Sequence, residues 1–437
     1  MSTSIKRRTF LRDILGTAGA LSLRSLATGL PVAFLANPQK AIAAATCTPP
    51  TNGPYFVLQT SVSGDPINAN APGCYGDPGI IHPVVPEMAA TALRLGTVNS
   101  VAAKPWAQLP QSVLDRSSFW HIRTNTGDHS KEPNVLRLMG ATRPIEMLPS
   151  LLAKQLAPCL QTTQSQPVCL GARNPSENLT FGGAPLPVIP PLALKATLLA
   201  PSGGLGKLAA LRDETLSSLT AILRSRSTSA QGKFIDELVL SQREARNIDQ
   251  SLLDKLSAIV DNGPSSQVKA SLILIQMKVS PVVSISIPFG QDNHLDAEFA
   301  RESRETITGI AAIAELMSGL QTLGLQDQVN FISLNVFGRS LNRPSRQGRD
   351  HNSNHQVSLA IGKSFKPGIY GGVAPFSNDY GATAMDSSSG QGGDGGDIAP
   401  GETLASFGKT MLKAAGADAD TIDSAIHAGK VVTAALA

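Results

Sequence analysis

The sequence contains few aromatic and few charged residues. Aromatic residues make up 4% of its 437 residues, and Asp, Glu, Lys and Arg together make up 16%. These low values do not indicate disorder, because 42% of the residues are hydrophobic and they recur in periodic runs. The formal net charge is only +4, and basic residues near the N-terminus contribute to it. The rest of the chain is close to neutral, so we expect no nucleic acid partner.

Two common catalytic motifs are also missing. The glycine cluster Gly203–Gly206 lacks the strand-then-helix setting that nicotinamide and flavin cofactors need. The sequence has no serine nucleophile elbow either. We therefore do not expect an enzyme that uses a nicotinamide or flavin cofactor.

Residues 1–45 have the sequence pattern of an export signal. Arg7 and Arg8 form a pair followed by a weakly apolar stretch, and small residues at Ala41–Ala43 provide a peptidase site. A membrane-spanning helix needs about 20 mainly apolar residues without an internal charge, whereas Arg24 interrupts this stretch. We therefore expect export by the twin-arginine pathway, a periplasmic or secreted protein, and no transmembrane anchor in the mature chain.

Four cysteines follow the predicted signal, in a compartment that we expect to be oxidising. Their spacing suggests disulfides between Cys47 and Cys74 and between Cys159 and Cys169, although four cysteines allow three pairings. No pair has the short spacing of a zinc knuckle. Structural disulfides are therefore expected in preference to a cysteine metal site.

Short apolar runs predict the strands of one sheet. They span Tyr55–Thr60, Ser118–Arg123, Val282–Ile287, Val329–Leu334 and Gln356–Ile361. The segment from Asp296 to Leu323 between two of these runs has a helical pattern. Connections long enough to contain such a helix indicate an α/β fold, with a mainly parallel sheet and helices on both faces.

Residues 46–437 are predicted to form one domain with an insertion at about 171–279. Prolines and glycines cluster between Gly171 and Pro201 and predict a loop. Leucines then recur at helical spacing as far as Val279, which predicts helices that lie over the sheet. Two further helices are expected at the end of the chain, over Leu404–Ala415 and Asp420–Leu436.

Acidic and histidine side chains follow four of the predicted strands. In chain order they are Asp65, His129 with the neighbouring Ser130, Asp292 with His294, and Asp350 with His351. Ligands gather outside the carboxyl ends of parallel strands. Aspartate and neutral histidine bind zinc, manganese or iron, and two such ions about 3.5 to 4 Å apart can activate a nucleophile and stabilise a phosphoryl or sulfuryl oxygen. Each group alone is as well explained by a surface loop, but four groups at four strand ends predict a divalent metal site.

Four segments resemble a known family. They are Asn335–Ser340, where the family has a strand and then Phe-Gly-Arg-Thr; Gly348–His351, which matches Gly-Arg-Asp-His; Gln291–His294, where the family has Trp-Asp-Thr-His; and Ile369–Gly371, in the place of Val-Tyr-Gly. The family is the exported bacterial domain of unknown function 1501, which belongs to the alkaline phosphatase-like superfamily. The resemblance implies the same α/β sheet and a site related to two-metal phosphatases, sulfatases and phosphomutases.

The resemblance also implies a role for each candidate residue. One metal is expected on Asp65, Asp350 and His351, and the other on Asp292 and His294. The nucleophile is expected after the second strand, at Ser130 or Thr126, with Thr124 as a further choice. Arg339 or Arg349 is expected to hold an anionic ester, because a guanidinium matches phosphate or sulfate oxygens with two parallel hydrogen bonds.

Departures from the family pattern keep an alternative open. Asn335-Val336 stands where the family has Ser-Glu, and Asn352-Ser353 replaces an aromatic residue and a proline. His355 and His427 are weak choices for a third histidine at the second metal. The expected function is metal-dependent hydrolysis of a small phosphate or sulfate ester. The alternative is a catalytically degenerate member that binds an envelope protein partner.

Overall fold

The computed structural model describes residues 50, 52–160, 162–171, 179–198, 204–229, 231–232, 235–236, 250–342 and 348–437. The predicted export signal and Cys47 lie outside these residues. Within them, no helix is both long enough and apolar enough to cross a membrane.

A seven-stranded sheet lies at the centre of the described chain. Its strands are β1 (Tyr55–Ser61), β2 (Ser117–Ile122), β3 (Val168–Cys169), β4 (Val282–Ile285), β5 (Val329–Asn335), β6 (Gln356–Ile361) and β7 (Gly368–Tyr370). Their order is β7-β2-β6-β5-β1-β4-β3. Only β6 runs antiparallel to its neighbours, so the prediction of a mainly parallel α/β sheet is confirmed. All five predicted strands form, whereas β3 and β7 are too short to show a periodic pattern.

The helices and hairpins surround this sheet. The longer helices are α1 (Leu148–Leu160), α2 (Pro191–Leu198), α3 (Gly204–Ser225), α4 (Gln250–Ser257), α5 (Pro264–Gln276), α6 (Ala300–Thr322) and α7 (Thr403–Ala414). Short helices span Ile67–Asn70, Lys104–Ala107, Gln111–Leu114, Glu132–Leu136 and Ala419–Ala425. Hairpins pair Ala90–Leu95 with Val98–Ala103, Thr180–Phe181 with Ala184–Pro185, Gly338–Arg339 with His351–Asn352, and Val373–Phe376 with Asp379–Ala382.

Two hydrophobic cores cover the two faces of the sheet. Successive side chains of β1 point to opposite faces, so Val57 enters one core and Leu58 enters the other. Helices α5 and α6 pack in the first core, through residues such as Ile273 and Ile313. Helices α1 and α7 pack in the second, for example through Phe407. The expected helices on both faces are therefore confirmed.

Two segments differ from the predicted secondary structure. The predicted loop between Gly171 and Pro201 contains a short hairpin and helix α2. The last predicted helix ends at Ala425 and does not continue to Leu436. Gly429 adopts a positive φ of +70°, and a Cβ there would lie 2.6 Å from the Ser406 amide nitrogen. The chain therefore turns closely against α7, which a continuous helix could not do.

Neither predicted disulfide forms among the described residues. Cys74 carries a free thiol that is fully buried, so the predicted bond to Cys47 is wrong. Cys159 lies near the end of α1 and Cys169 lies in β3, and no disulfide joins the two. Short spacing along the chain does not bring two cysteines to the Cα separation and side-chain direction that a disulfide requires.

A buried ion pair connects three segments near one edge of the sheet. Arg349 Nε donates to Glu302 Oε2 at 2.7 Å, and Arg349 Nη2 donates to Glu302 Oε1 at 3.1 Å. Both side chains are fully buried. The Asn70 and Asn293 amide groups also donate to the Glu302 carboxylate, each at 2.9 Å. The pair therefore ties helix α6 to the loop before His351 and to the loop that contains Asn293.

His82 lies close enough to Arg349 to be affected by its charge, and it should make the free energy of unfolding depend on pH. Burial, reinforced by the charge of Arg349, lowers the pKa of His82 to about 4, whereas an unfolded histidine titrates near about 6.5. Between these values the unfolded chain binds a proton that the native chain does not, so the free energy of unfolding falls as the pH falls from about 6.5 to 4. His82→Asn keeps a donor for the Ala69 carbonyl, which His82 Nδ1 contacts at 2.9 Å. Urea unfolding at pH 7, 6 and 5 measures how the free energy of unfolding changes with pH. In the His82→Asn protein this pH dependence should be smaller by up to about 1.4 kcal/mol per pH unit. An unchanged pH dependence would contradict the assignment to His82.

Candidate metal centre

The loops that follow β1, β2, β4 and β5 meet at the carboxyl ends of these strands. Arg339 and His351 are directly paired in a short hairpin after β5. Gly348 brings this hairpin against the loop after β4, since a Cβ at Gly348 would lie 1.8 Å from the Asn293 carbonyl oxygen. Glycine is therefore required for the close approach that brings Asp350 and His351 to Asp292 and His294.

Five side chains form what we call the histidine–aspartate cluster. Its members are His129, Asp292, His294, Asp350 and His351. His129 Nε2 lies 3.5 Å from Asp292 Oδ2, and His294 Nε2 lies 3.4 Å from Asp292 Oδ1. His294 Nε2 is also 2.8 Å from His351 Nε2. One potential ligand atom from each of His129, Asp292 and His351 lies within 4.8 Å of the other two.

The second nitrogen of each histidine in the cluster has an acceptor. His129 Nδ1 donates to the Val62 carbonyl at 2.7 Å, and His351 Nδ1 donates to the Gly127 carbonyl. His294 Nδ1 lies 3.1 Å from Asp350 Oδ1. These partners keep the proton on Nδ1 and leave the Nε2 lone pair available. The same arrangement orients histidines that bind metals.

The close contact between His294 and His351 needs a positive charge between the two rings. Both Nε2 atoms are acceptors when both Nδ1 atoms are protonated, and two lone pairs repel each other at 2.8 Å. A proton or a metal ion removes this repulsion. Burial, reinforced by the charge of Arg339, lowers the pKa of His351, so at neutral pH the positive charge is either a metal ion or a proton on His294, which faces the carboxylates of Asp292 and Asp350. The donor set therefore fits a metal ion.

Arg339 holds the Asp292 carboxylate of the cluster in place. Its guanidinium is fully buried and donates to Asp292 Oδ1 at 3.0 Å, to the Ser63 carbonyl at 2.6 Å and to the Gly64 carbonyl. Burial alone would raise the pKa of Asp292, but the charges of Arg339, His294 and His129 and the hydrogen bond from Arg339 together outweigh it, and the pKa lies below its ordinary value. Asp292 is therefore ionised near neutral pH.

Sequence comparisons give no relative from which to transfer a function. No protein-family profile and no curated protein matches the chain. The resemblance to domain of unknown function 1501 therefore stays a prediction, and the function is inferred from the side chains of the site.

Asp65 supports the loop that carries Asp292. It is fully buried, and its Oδ1 accepts hydrogen bonds from the amides of Phe289 at 3.1 Å and Gln291 at 2.7 Å. Burial raises the pKa of Asp65 above its ordinary value. The structure thus places Asp65 beneath the loop after β4, and its predicted role as a metal ligand is untested.

The predicted nucleophiles lie in the loop after β2. Ser130 is exposed, and its amide donates to Asp128 Oδ1 at 2.9 Å. Thr126 is 9% exposed, and its Oγ1 accepts from the Asp128 amide at 3.2 Å. Thr124 is fully buried. Of the three hydroxyls, that of Ser130 is the most accessible to a substrate.

The two arginines predicted to bind an ester are both inside the protein. Arg339 donates its hydrogen bonds to Asp292 and to the Ser63 and Gly64 carbonyls. Arg349 is committed to Glu302 and donates further to the Ser340 carbonyl at 2.8 Å and the Ile81 carbonyl at 2.6 Å. An exposed cation does lie near the cluster, because Arg301 Nη1 donates to the Asp292 carbonyl at 3.0 Å.

The sequence alone did not reveal the full set of potential ligands. The sequence places His129 among the groups at the strand ends, but it was not among the predicted metal ligands. A second group, Cys74, His121 and His355, is fully buried and was missed. His121 lies within β2 and His355 precedes β6, and only the pairing of Val357 with His121 places the two histidines diagonally on one face. No local motif indicates such a contact between distant residues.

Proposed function

We propose that the protein is a metal-dependent hydrolase of phosphate or sulfate esters. The main support is that ligand atoms of His129, Asp292 and His351 lie within 4.8 Å of one another, and that His294 Nε2 lies 2.8 Å from His351 Nε2 and 3.4 Å from Asp292 Oδ1. Each of the three histidines has an acceptor for its Nδ1 proton. This donor set suits zinc, manganese or iron. We further propose that the protein acts outside the cytoplasm, as the twin-arginine motif at Arg7 and Arg8 suggests.

The geometry favours one ion where the resemblance implies two. His129, His294, His351 and Asp292 are the proposed ligands of a single centre. Asp350 is then a positioning residue, because its Oδ1 faces His294 Nδ1 and not the centre. Arg339 similarly fixes Asp292 through a hydrogen bond of 3.0 Å.

The metal ion and two exposed side chains near the centre have separate proposed tasks in ester hydrolysis. When bound, a divalent ion supplies positive charge for a phosphoryl or sulfuryl oxygen and a means of activating water or a hydroxyl at neutral pH. Arg301 offers an exposed guanidinium to the other ester oxygens, at the rim formed by the Asp292 backbone. The exposed hydroxyl of Ser130 is the proposed alternative to water as the attacking group.

A second candidate function is the binding of an envelope partner without catalysis. The burial of Arg339 and Arg349 favours this second function, since neither guanidinium is exposed to bind an ester from solution. In that case the metal would hold the loops of the binding surface in place.

The first experiment is to measure the metal content and the esterase activity of the purified protein. The proposed hydrolase should contain about one equivalent of zinc, manganese or iron and should hydrolyse an aryl phosphate or an aryl sulfate. Bound metal without either activity would favour the binding function. Folded protein that takes up no metal, even when the three ions are added, would contradict both the centre and the hydrolase.

Replacing Asp350 should distinguish a positioning residue from a ligand. Asp350→Ala removes the acceptor for His294 Nδ1, so the metal affinity should fall by about 10- to 100-fold, and added metal should restore activity. Asp350→Asn, which keeps an acceptor oxygen, should lose less. Metal titrations with an activity readout test this, with the exposed Asp420→Ala as the control. Activity that added metal cannot restore would mean that Asp350 has a direct role.

A further inference from the structure

A second group of potential metal ligands lies buried between β2 and β6. Cys74, His121 and His355 are each fully buried. His121 Nδ1 lies 3.0 Å from His355 Nε2 and 3.8 Å from Cys74 Sγ. None of these residues belongs to the histidine–aspartate cluster. A sulfur and two imidazole nitrogens have thus been brought together in a dry part of the core.

The separations match those between the ligands of one metal ion. Metal–nitrogen distances of about 2.0 to 2.1 Å and a metal–sulfur distance of about 2.3 Å, at tetrahedral angles, place two nitrogens about 3.3 Å apart and a nitrogen and a sulfur about 3.6 Å apart. The observed separations of 3.0 and 3.8 Å lie within a few tenths of an ångström of these values. The third pair, Cys74 and His355, has its ligand atoms within 4.8 Å of each other, so the three side chains are close enough to bind one ion.

The segment Pro72–Cys74 holds both nitrogens of His121. The Pro72 carbonyl lies 3.0 Å from Nε2, which places the proton on Nε2 and leaves the Nδ1 lone pair facing Cys74 Sγ and His355. Gly73 has a φ of +91°, and a Cβ there would lie 2.5 Å from His121 Nε2. Gly73 therefore allows one short segment to supply both the Cys74 thiol and the Pro72 carbonyl that orients the His121 imidazole. Histidines that bind metals are commonly oriented by such a carbonyl.

The remaining nitrogen of His355 is not tightly held. Asn68 Nδ2 lies 3.4 Å from His355 Nδ1, which is long for a hydrogen bond and does not fix the tautomer. Asn68 is itself fixed by the backbone of Arg339, through bonds of 2.7 and 2.9 Å. Without a metal, His355 Nε2 can donate to His121 Nδ1, so metal binding requires the His355 proton to move from Nε2 to Nδ1.

We propose that Cys74 Sγ, His121 Nδ1 and His355 Nε2 bind one thiophilic d10 ion, copper(I) or zinc(II). Binding displaces the thiol proton of Cys74 to solvent and forms a metal–thiolate bond. Copper(I) with one thiolate and two neutral imidazoles has no net charge, whereas zinc(II) leaves a charge of +1 in the core. Since a buried net charge is costly, we expect copper(I) to bind more tightly than zinc(II).

The test uses the full chain with the other centre disabled. His351→Ala protein is purified from cells supplied with copper or with zinc, and its metal content and X-ray absorption spectrum are measured. About one equivalent of metal with a sulfur neighbour at about 2.3 Å is expected. Metal without a sulfur neighbour, or no metal after either supplement, would overturn the proposal. Because the sulfur neighbour is specific to this site, the result does not depend on whether the histidine–aspartate cluster binds metal.

A pair of cysteine variants completes the test. In the same background, Cys74→Ser should lose the sulfur neighbour and at least tenfold in metal affinity. Cys169→Ser is the matched control, because Cys169 is also buried but lies in β3 at the far edge of the sheet. This variant should retain the sulfur neighbour and the metal affinity. Thermal unfolding with and without metal shows whether each variant is folded, and only the Cys74→Ser protein should lose its metal-dependent rise in Tm. Equal metal binding by the two variants would exclude Cys74 as a ligand.

Discussion

The His351→Ala protein should bind the metal of the histidine–aspartate cluster at least 100-fold more weakly than the unaltered protein and should lose ester hydrolysis. Two observations indicate that this residue makes a large contribution. His351 Nε2 lies 2.8 Å from His294 Nε2, and His351 Nδ1 is held by the Gly127 carbonyl. Removing the ring deletes a ligand and releases the loop that carries it. Metal titration of the purified protein, followed by an assay on an aryl phosphate and an aryl sulfate, measures both effects.

His427→Ala is the matched control for this experiment. His427 is exposed near the C-terminus, and its described hydrogen bond runs from its backbone amide to the Ala141 carbonyl. The variant should retain the metal and the activity. If His351→Ala kept its metal affinity, the convergence of the Nε2 atoms would have to be explained by protonation of one ring, and the proposed centre would be abandoned.

The sheet could be predicted from the sequence because its strands are buried on both faces. Each of the five long strands consists only of buried residues, at least half of which are apolar, and the segments between most of them are long enough for crossover helices. Strand β3 has only two residues, so no periodicity could indicate it. The antiparallel direction of β6 could not be predicted either, because an apolar run does not show which way its strand points.

The position of the candidate site was easier to predict than the task of each residue. Strand ends of a parallel sheet meet at one edge, which brings Asp292, His294, Asp350 and His351 together. Burial then decides what each charged group can do. Arg349 was predicted to bind an ester, but the structure places it opposite Glu302 in the core. Residue type alone does not distinguish a guanidinium that faces a ligand from one that holds two loops together.

The Arg349→Ala protein should be destabilised by about 3 to 5 kcal/mol, because the substitution leaves the Glu302 carboxylate buried without its partner. The effect should extend to the candidate site, since Glu302 also accepts from Asn293, the residue between Asp292 and His294. Urea or guanidinium unfolding measures the change in the free energy of unfolding. The surface pair of Arg116 with Asp327 provides the comparison, and Arg116→Ala should cost less than about 1 kcal/mol.

A double-mutant cycle separates the ion pair from the general cost of altering the core. Glu302→Gln alone leaves the Arg349 charge unpaired, and Arg349→Met alone leaves the carboxylate unpaired, so each should be strongly destabilising. The double variant buries no charge at this position and should be more stable than the sum of the two losses predicts, with a coupling of about 1 to 3 kcal/mol. Additive losses would mean that Arg349 acts mainly through its bonds to the Ser340 and Ile81 carbonyls. In that case the hairpin with His351 would be held by backbone contacts, and the link from Glu302 to the metal centre would be lost.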